Sequence, residues 1–290
     1  MNRVFLVGCG DIGIRVARLW GGDRVPVFAL VRSPESARRL GDLGITPMVG
    51  DLDDPTSFSG LPTKNALVYY LAPPPNRGDR DPRMLAFVDH IPSGEEPEKI
   101  VYMSTTAVYG DLRGGWATEE TPPAPGTARG KRRLDAENTI LAWGRAKNIP
   151  VVILRVVGIY GPGRLPYGKV HEGAPVVAEN ESPYSNRIHS DDLSRVCVAA
   201  AKRGGAGAVY NVSDGQPGTI GQYFCAVADL LGVPRPPTVT MAEARRMMSE
   251  GMLSYLSESK RLDNRKMREE LGVELLYPTL ESGLAASMEE

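Results

Sequence analysis

An apolar run at residues 3–7 (Arg-Val-Phe-Leu-Val) breaks into Gly8-Cys9-Gly10-Asp11-Ile12-Gly13, and apolar residues then return at helical spacing through Ile14, Ala17 and Trp20. This stretch restricts the possible folds severely, because each glycine meets a separate steric demand of a strand that turns directly into a helix. Gly8 permits the tight turn. Gly10 has no side chain, so a pyrophosphate can approach the backbone, and Gly13 allows the helix to pack closely on the sheet. The helix N-terminus then presents unpaired N–H groups and a partial positive charge. A second apolar run over 25–31 ends on Arg32. Strand, glycine turn, helix, strand is the opening unit of a dinucleotide-binding fold, with Gly8, Gly10, Asp11, Ile12 and Gly13 as the expected phosphate cradle.

The pattern repeats downstream. Ser33-Pro34 starts a helix that stops at Gly44, and 45–49 reads as a third strand. Residues 66–71 are nearly all apolar, as in a strand buried on both faces, and end at Ala72-Pro73-Pro74-Pro75. Further strands are expected at 99–103, 151–157 and 209–212. Helices are expected near 82–91, 130–147, 190–203, 220–231, 242–249 and 264–271. On the helix over 130–147, Arg133 and Glu137 are spaced to pair at i, i+4. The pattern breaks at Gly158 to Gly163, and from here to about Asn186 the chain reads as irregular. Alternating strands and helices predict an α/β fold, a Rossmann-type doubly wound parallel sheet with a small C-terminal substrate lobe. Residues 1–160, with 186–232 returning to them, form the expected dinucleotide domain, and 161–185 with 233–290 the smaller lobe. Ligands of such sheets bind beyond the carboxyl ends of the strands. That directs attention to Arg32, Asp51, 72–74 and 104–106.

Bulk properties narrow the function. A formal net charge of −1 over 290 residues gives no reason to expect nucleic acid or an anionic membrane as partner. No run of about 18 apolar residues occurs, and the first residues read as a strand rather than a leader. Three cysteines, Cys9, Cys197 and Cys225, lack metal-ligand spacing and suggest reduced thiols, hence a cytoplasmic protein. With three histidines in the chain, a multi-histidine metal site is not expected. Cys9, inside the glycine turn, reads as a small buried filler.

Five ordered stretches together resemble the extended and atypical branches of the short-chain dehydrogenase/reductase superfamily, often labelled NAD-dependent epimerase/dehydratase. They are the glycine turn; Ser104-Thr105-Thr106-Ala107-Val108-Tyr109-Gly110; Leu154-Arg155 leading to Ile159-Tyr160-Gly161-Pro162-Gly163; Asn186 to Leu193, with Arg187-Ile188-His189-Ser190-Asp191-Asp192 at its centre; and Tyr210-Asn211-Val212-Ser213-Asp214. The resemblance implies NAD(P) in the Rossmann domain and a small-molecule substrate under the lobe, in a monomer or homodimer. It places Asp51 and Leu52 at the adenine, and Leu71, Ala72 and Pro73 along the ribose and nicotinamide.

An NAD site usually carries an acid at the end of the second strand. Here that place reads Arg32-Ser33, suited to a 2′-phosphate, so NADP is expected over NAD. Members of the resembled family use a Tyr with a Lys four residues later, and an upstream Ser or Thr that orients the substrate oxygen. None of the eleven tyrosines here has Lys at that spacing. Anchoring on Ala136-Glu137 puts Arg129 at the Tyr position and Arg133 at the Lys position, and a guanidinium does not exchange protons near neutrality. The catalytic candidates are therefore Ser104, Thr105 and Arg133, the last as a ribose-binding group. Tyr160, Arg187 and His189 are candidates for substrate contact; a hydrogen bond with Asp191 or Asp192 is the ordinary use of His189. Two functions remain open. One is an NADP-dependent oxidoreductase or epimerase/dehydratase with a non-standard active site, acting on a carbonyl or carbinol such as a nucleotide sugar. The other is an inactive NADP-binding sensor or scaffold.

Overall fold

A computed structural model describes residues 2–288. Seven parallel strands form the central sheet: β1 Arg3–Val7, β2 Val27–Val31, β3 Thr46–Val49, β4 Ala66–Tyr70, β5 Lys99–Thr105, β6 Val151–Val156 and β7 Val209–Val212. Their spatial order is β7-β6-β5-β4-β1-β2-β3. The order reverses beside β1, which pairs with β2 on one side (Val4 opposite Val27) and β4 on the other (Val4 opposite Leu67). Crossover helices diverge at this switch point and leave a crevice beyond the strand ends.

Side-chain alternation along the strands builds two core layers. Val4, Leu6, Leu67 and Tyr69 pack with helices α1 (Asp11–Gly21) and α6 (Ser190–Arg203). Phe5, Val7, Val68 and Tyr70 face α3 (Pro82–Asp89) and α4 (Ala128–Lys147). Helix α2 (Pro34–Asp42) starts at the Ser33 cap, whose hydroxyl accepts the Ser36 N–H. Where Trp20 and Tyr69 meet in the core, the indole N–H donates to the phenol oxygen at 2.9 Å, so neither polar group is buried unsatisfied.

Three expectations need correction. Strand β5 runs on through Ser104 and Thr105, pairing Ser104 with Arg155 of β6. Helix α4 starts two residues early because Thr127 caps it, accepting the Gly130 N–H, so Arg129 lies in its first turn. The stretch expected to be irregular holds helix α5 (Tyr167–His171) and short paired strands. Gly158–Tyr160 lies parallel to Arg187–His189, and Val176–Val177 lies parallel to Thr238–Val239. These pairs are two or three residues long, too short to show a period in sequence. They bring the later chain over the carboxyl ends of β5 and β6, where α7 (Ile220–Leu231) packs Phe224 and Val227 against Tyr160, Leu165 and Val176. The tail adds α8 (Met241–Met247), α9 (Glu250–Leu256), α10 (Arg265–Leu271) and α11 (Leu280–Ala286), of which α9 and α11 were not foreseen.

Candidate active site

The cradle is set by backbone shape. Gly8 has φ +87°, and a Cβ there would fall 2.8 Å from the Ala72 nitrogen. A Cβ at Gly13 would meet the Cys9 sulfur at 3.1 Å and the Gly8 carbonyl at 3.2 Å, whereas one at Gly10 would meet nothing within 4 Å. The first two glycines are therefore demanded by packing, and the third leaves an open approach. No side chain caps the start of α1, so its N-terminal N–H groups suit an anion, and the residues present fit a dinucleotide pyrophosphate. Cys9 is buried, which pushes its thiol up to about 12, although Arg39 works against the rise; it fills space beneath the turn. Ile12 also packs inward, into the core.

Asp11 opens α1 and is gripped from two sides, accepting from Arg15 Nε at 2.8 Å and Arg164 Nε at 2.6 Å. Burial alone would raise its pKa, but the two guanidinium bonds prevail and hold it below the usual carboxylate value. Arg15 reaches on to Asp191 at the start of α6. The loop carrying Arg164 is thus tied to the glycine turn.

Where the resemblance places the adenine side, Arg32 is exposed at the close of β2. Ser33 is engaged as the α2 cap and also donates to Ser36 Oγ at 3.0 Å. Asp51 accepts the Asp53 N–H at 3.0 Å, and Leu52 packs on the core. Arg83 bonds both Asp53 (Nε to Oδ1, 2.6 Å) and the Pro73 carbonyl (2.8 Å). The N–H groups of Leu71 and Ala72 both donate to the Val7 carbonyl at 2.9 Å, which fixes the wall that Gly8 touches.

At the other end, the three catalytic candidates separate. Ser104 donates to Glu137 Oε1 at 2.5 Å and is 3% exposed. Glu137 does not pair with Arg133 as the helical spacing suggested. It lies on the buried face of α4, where a carboxylate needs a partner that is also out of water, and Arg155 of β6 supplies two bonds at 2.8 and 3.2 Å. The Arg155 guanidinium lies 4.8 Å from the Tyr109 ring centre, and Tyr109 donates to Asn211 Oδ1 at 2.7 Å. Ser104 is thereby engaged in a buried polar network. Arg133 donates to the Met103 carbonyl at 2.8 Å and contacts the Tyr102 hydroxyl at 3.3 Å. Thr105 alone of the three lines the large cavity beside the sheet. Its oxygen accepts weakly from the Ala107 N–H, at 3.4 Å, and its own O–H remains a donor.

That cavity measures about 830 Å³ and lies between the ends of β5 and β6 and the later chain. Among the described residues its walls include Arg129, Arg164, Lys169, Arg187 and Lys260 against one carboxylate, Glu258. Arg187 is 7% exposed, donates to the Thr219 carbonyl at 2.5 Å and to Ser185 Oγ at 2.9 Å, and stacks 4.8 Å from the Tyr223 ring centre. Tyr160 also faces the cavity, but among the described residues its buried phenol oxygen has no hydrogen-bond partner, and burial pushes its pKa up. His189 is 1% exposed and does not line the cavity. Its Nδ1 accepts the Asp191 N–H at 3.2 Å to cap α6, and its ring packs against Tyr160 and Tyr277. Among the described residues, no group of three His, Cys, Asp or Glu side chains is suited to a metal.

Reasoning from residues names Glu137 and Arg155 but misses their pairing, and gives no role to Arg164, Lys260 or Tyr255. The pairing left a signal: an acid at the apolar stripe of a helix, and one arginine inside the apolar strand Val-Val-Ile-Leu-Arg-Val. Buried opposite charges seek each other.

Comparison with known proteins agrees with this architecture. The chain is 27% identical to protein YeeZ of Escherichia coli K12, over 96% of this chain and 97% of that one. A match of 30% to protein y4nG of Sinorhizobium fredii covers 50% of this chain and only 40% of that protein. Among solved structures, a conserved protein of unknown function from Silicibacter pomeroyi superposes with TM-score 0.85 at 31% identity, covering 99% and 98% of the two chains. The UDP-glucose 4-epimerase of Thermotoga maritima, solved with UDP-glucose, shares the fold at TM-score 0.77 and 20% identity, with 99% and 97% covered. MoeE5, solved with UDP-glucose and NAD, does so at 0.72 and 22%, with the same coverage. Residues 6–213 match the NAD dependent epimerase/dehydratase family, and the chain belongs to it.

Proposed function

We propose that this protein is an NADP-dependent oxidoreductase or epimerase/dehydratase that acts on an anionic carbonyl or carbinol compound, with nucleotide sugars as the favoured class. The observation that carries this reading is the cavity itself. Among the described residues five cationic side chains and one carboxylate line a space of about 830 Å³ that reaches Thr105 at the sheet end, and with Arg164 paired to Asp11 and Lys260 to Glu258 the excess charge comes from Arg129, Lys169 and Arg187. An excess of cationic side chains on the walls favours an anion such as a diphosphate. UDP-glucose bound to two proteins of the same fold supports the class. When bound, the cofactor supplies or accepts hydride. This chain's own residues do the remainder: Thr105 orients the substrate oxygen, and Arg187 faces the anionic part.

Preference for NADP rests on Arg32, exposed at the end of β2 where no carboxylate stands to repel a 2′-phosphate. The reading is tested by titrating the purified protein with NADPH and NADH by fluorescence, then following nicotinamide absorbance with a panel of nucleotide sugars and simple carbonyls. NADPH-dependent turnover that Thr105→Val abolishes supports it. Tight NADPH binding with no turnover across the panel replaces it with the sensor reading, which the arginines at positions 129 and 133 of α4 favour.

A further inference from the structure

We propose that Tyr255, held by Arg129, is the proton donor of this cavity. The inference rests on the enzymatic reading above. Helix α4 enters against the turn that follows Thr105: a Cβ on Gly130 would stand 2.6 Å from the Ala107 carbonyl oxygen. That close approach sets Arg129, the preceding residue, beside the Thr105–Ala107 segment, and all four residues 105–107 and 129 line the cavity. Helix α9 brings Tyr255 to the same cavity. Arg129 donates from one terminal nitrogen to the Tyr255 hydroxyl at 2.7 Å, and its guanidinium carbon lies 4.6 Å from the ring centre. These two groups are 126 positions apart in the chain.

A phenol oxygen that accepts from a guanidinium keeps its own O–H to donate, and the cation faces the phenolate left after donation. Arginine does not exchange a proton itself, so it serves as a permanent counter-charge. Four other tyrosines line the cavity, and among the described residues none receives a hydrogen bond from a cation. Tyr160 and Tyr223 are instead pushed up by burial, Tyr223 to about 12. In the reduction direction, the carbonyl carbon would take hydride from the nicotinamide of a dinucleotide held at the glycine turn, with the π pair of the C=O bond passing to oxygen. That oxygen takes the proton as the Tyr255 O–H bond breaks, and water later returns a proton to the phenolate. The reverse sequence oxidises a carbinol, with the phenolate as base.

The experiment uses wild type, Tyr255→Phe, Arg129→Lys and Arg129→Met with NADPH and a carbonyl compound that wild type turns over. Tyr255→Phe is expected to lower kcat by about 10²–10⁴-fold with KM and NADPH binding unchanged; Tyr255 is 56% exposed, so folding does not depend on its hydroxyl. Arg129→Met should move the pH profile of kcat, and Arg129→Lys should restore part of the rate. Independently of turnover, the fluorine resonance of 3-fluorotyrosine-labelled protein that disappears in Tyr255→Phe should shift in Arg129→Met. Undiminished kcat in Tyr255→Phe overturns the proposal while leaving the enzymatic reading intact. An unmoved fluorine resonance overturns the Arg129 contact. Wild type that binds NADPH but turns over nothing overturns the enzymatic reading and this inference with it.

Discussion

The two ends of the crevice are built in different ways. The cradle between β1 and α1 is made of backbone: three glycines within six residues, of which Gly8 is required by its dihedral and a close approach, Gly13 by close approach, and Gly10 leaves the open face. The reaction end is made of side chains from distant segments, with Thr105 from β5, Arg129 from α4 and Tyr255 from α9 lining one cavity. Beneath it, the Ser104–Glu137–Arg155 network joins β5, α4 and β6. The contrast shows why one end of a nucleotide-binding fold can be read from a short motif. At the other end, the proposed proton donor comes from α9, a part of the chain far from the motifs that line the sheet.

The strongest way to break this comparison is to attack the buried network. Glu137→Ala leaves the Arg155 guanidinium buried without its carboxylate, and unfolding free energy in a urea titration is expected to fall by about 3–5 kcal/mol. Wild-type stability would show that the reaction end is not held by that pair. Gly8→Ala is expected to cost about 2–4 kcal/mol, from the left-handed φ and the contact with Ala72 together, and to weaken NADPH and NADH alike. A variant that kept both stability and binding would remove the claim that the cradle is a backbone device.

Arg32→Ala sharpens the cradle's specificity. Loss of a charge-assisted bond to a 2′-phosphate is expected to weaken NADPH by about 1.5–3 kcal/mol and leave NADH binding as it was. Equal losses for both cofactors would sink the phosphate assignment.

The smallest expected effect comes from the tie between the two ends. Arg164→Ala removes a partly exposed ion pair to Asp11, so after solvent screening the loss is about 0.2–1 kcal/mol near neutral pH. Because Asp11 has a folded-state pKa below its unfolded value, the pair's contribution is present above about pH 4 and is lost as pH falls through the folded pKa. Thermal melts of wild type and Arg164→Ala should therefore converge in acid. A gap that widened on acidification would reverse the sign and refute the assignment.

Much of the fold was legible because strands buried on both faces must be apolar throughout, and helices with one buried face must show a period. The β1–α1–β2 unit, the strand at 66–70 and α6 follow that rule. The stretch 158–186 does not: its strands are two or three residues long and owe their shape to partners such as 187–189 and 238–239. The site divides similarly. Arg187 was found through its motif and faces the cavity, while Ser104 and His189 came with motifs and are engaged in buried hydrogen bonds. Hydroxyl and imidazole groups look the same in sequence whether they face a ligand or a neighbour.

Sequence by itself determined the α/β alternation, the cradle and the family, since local sterics and periodicity act over a few residues and leave their mark there. Tertiary structure alone decided that Thr105 and not Ser104 borders the cavity, that Glu137 pairs with Arg155, and that Tyr255 meets Arg129. These are contacts between residues far apart in the chain. Their partners are selected by the burial of charge and by the packing of whole helices, and neither is written in any short stretch of residues.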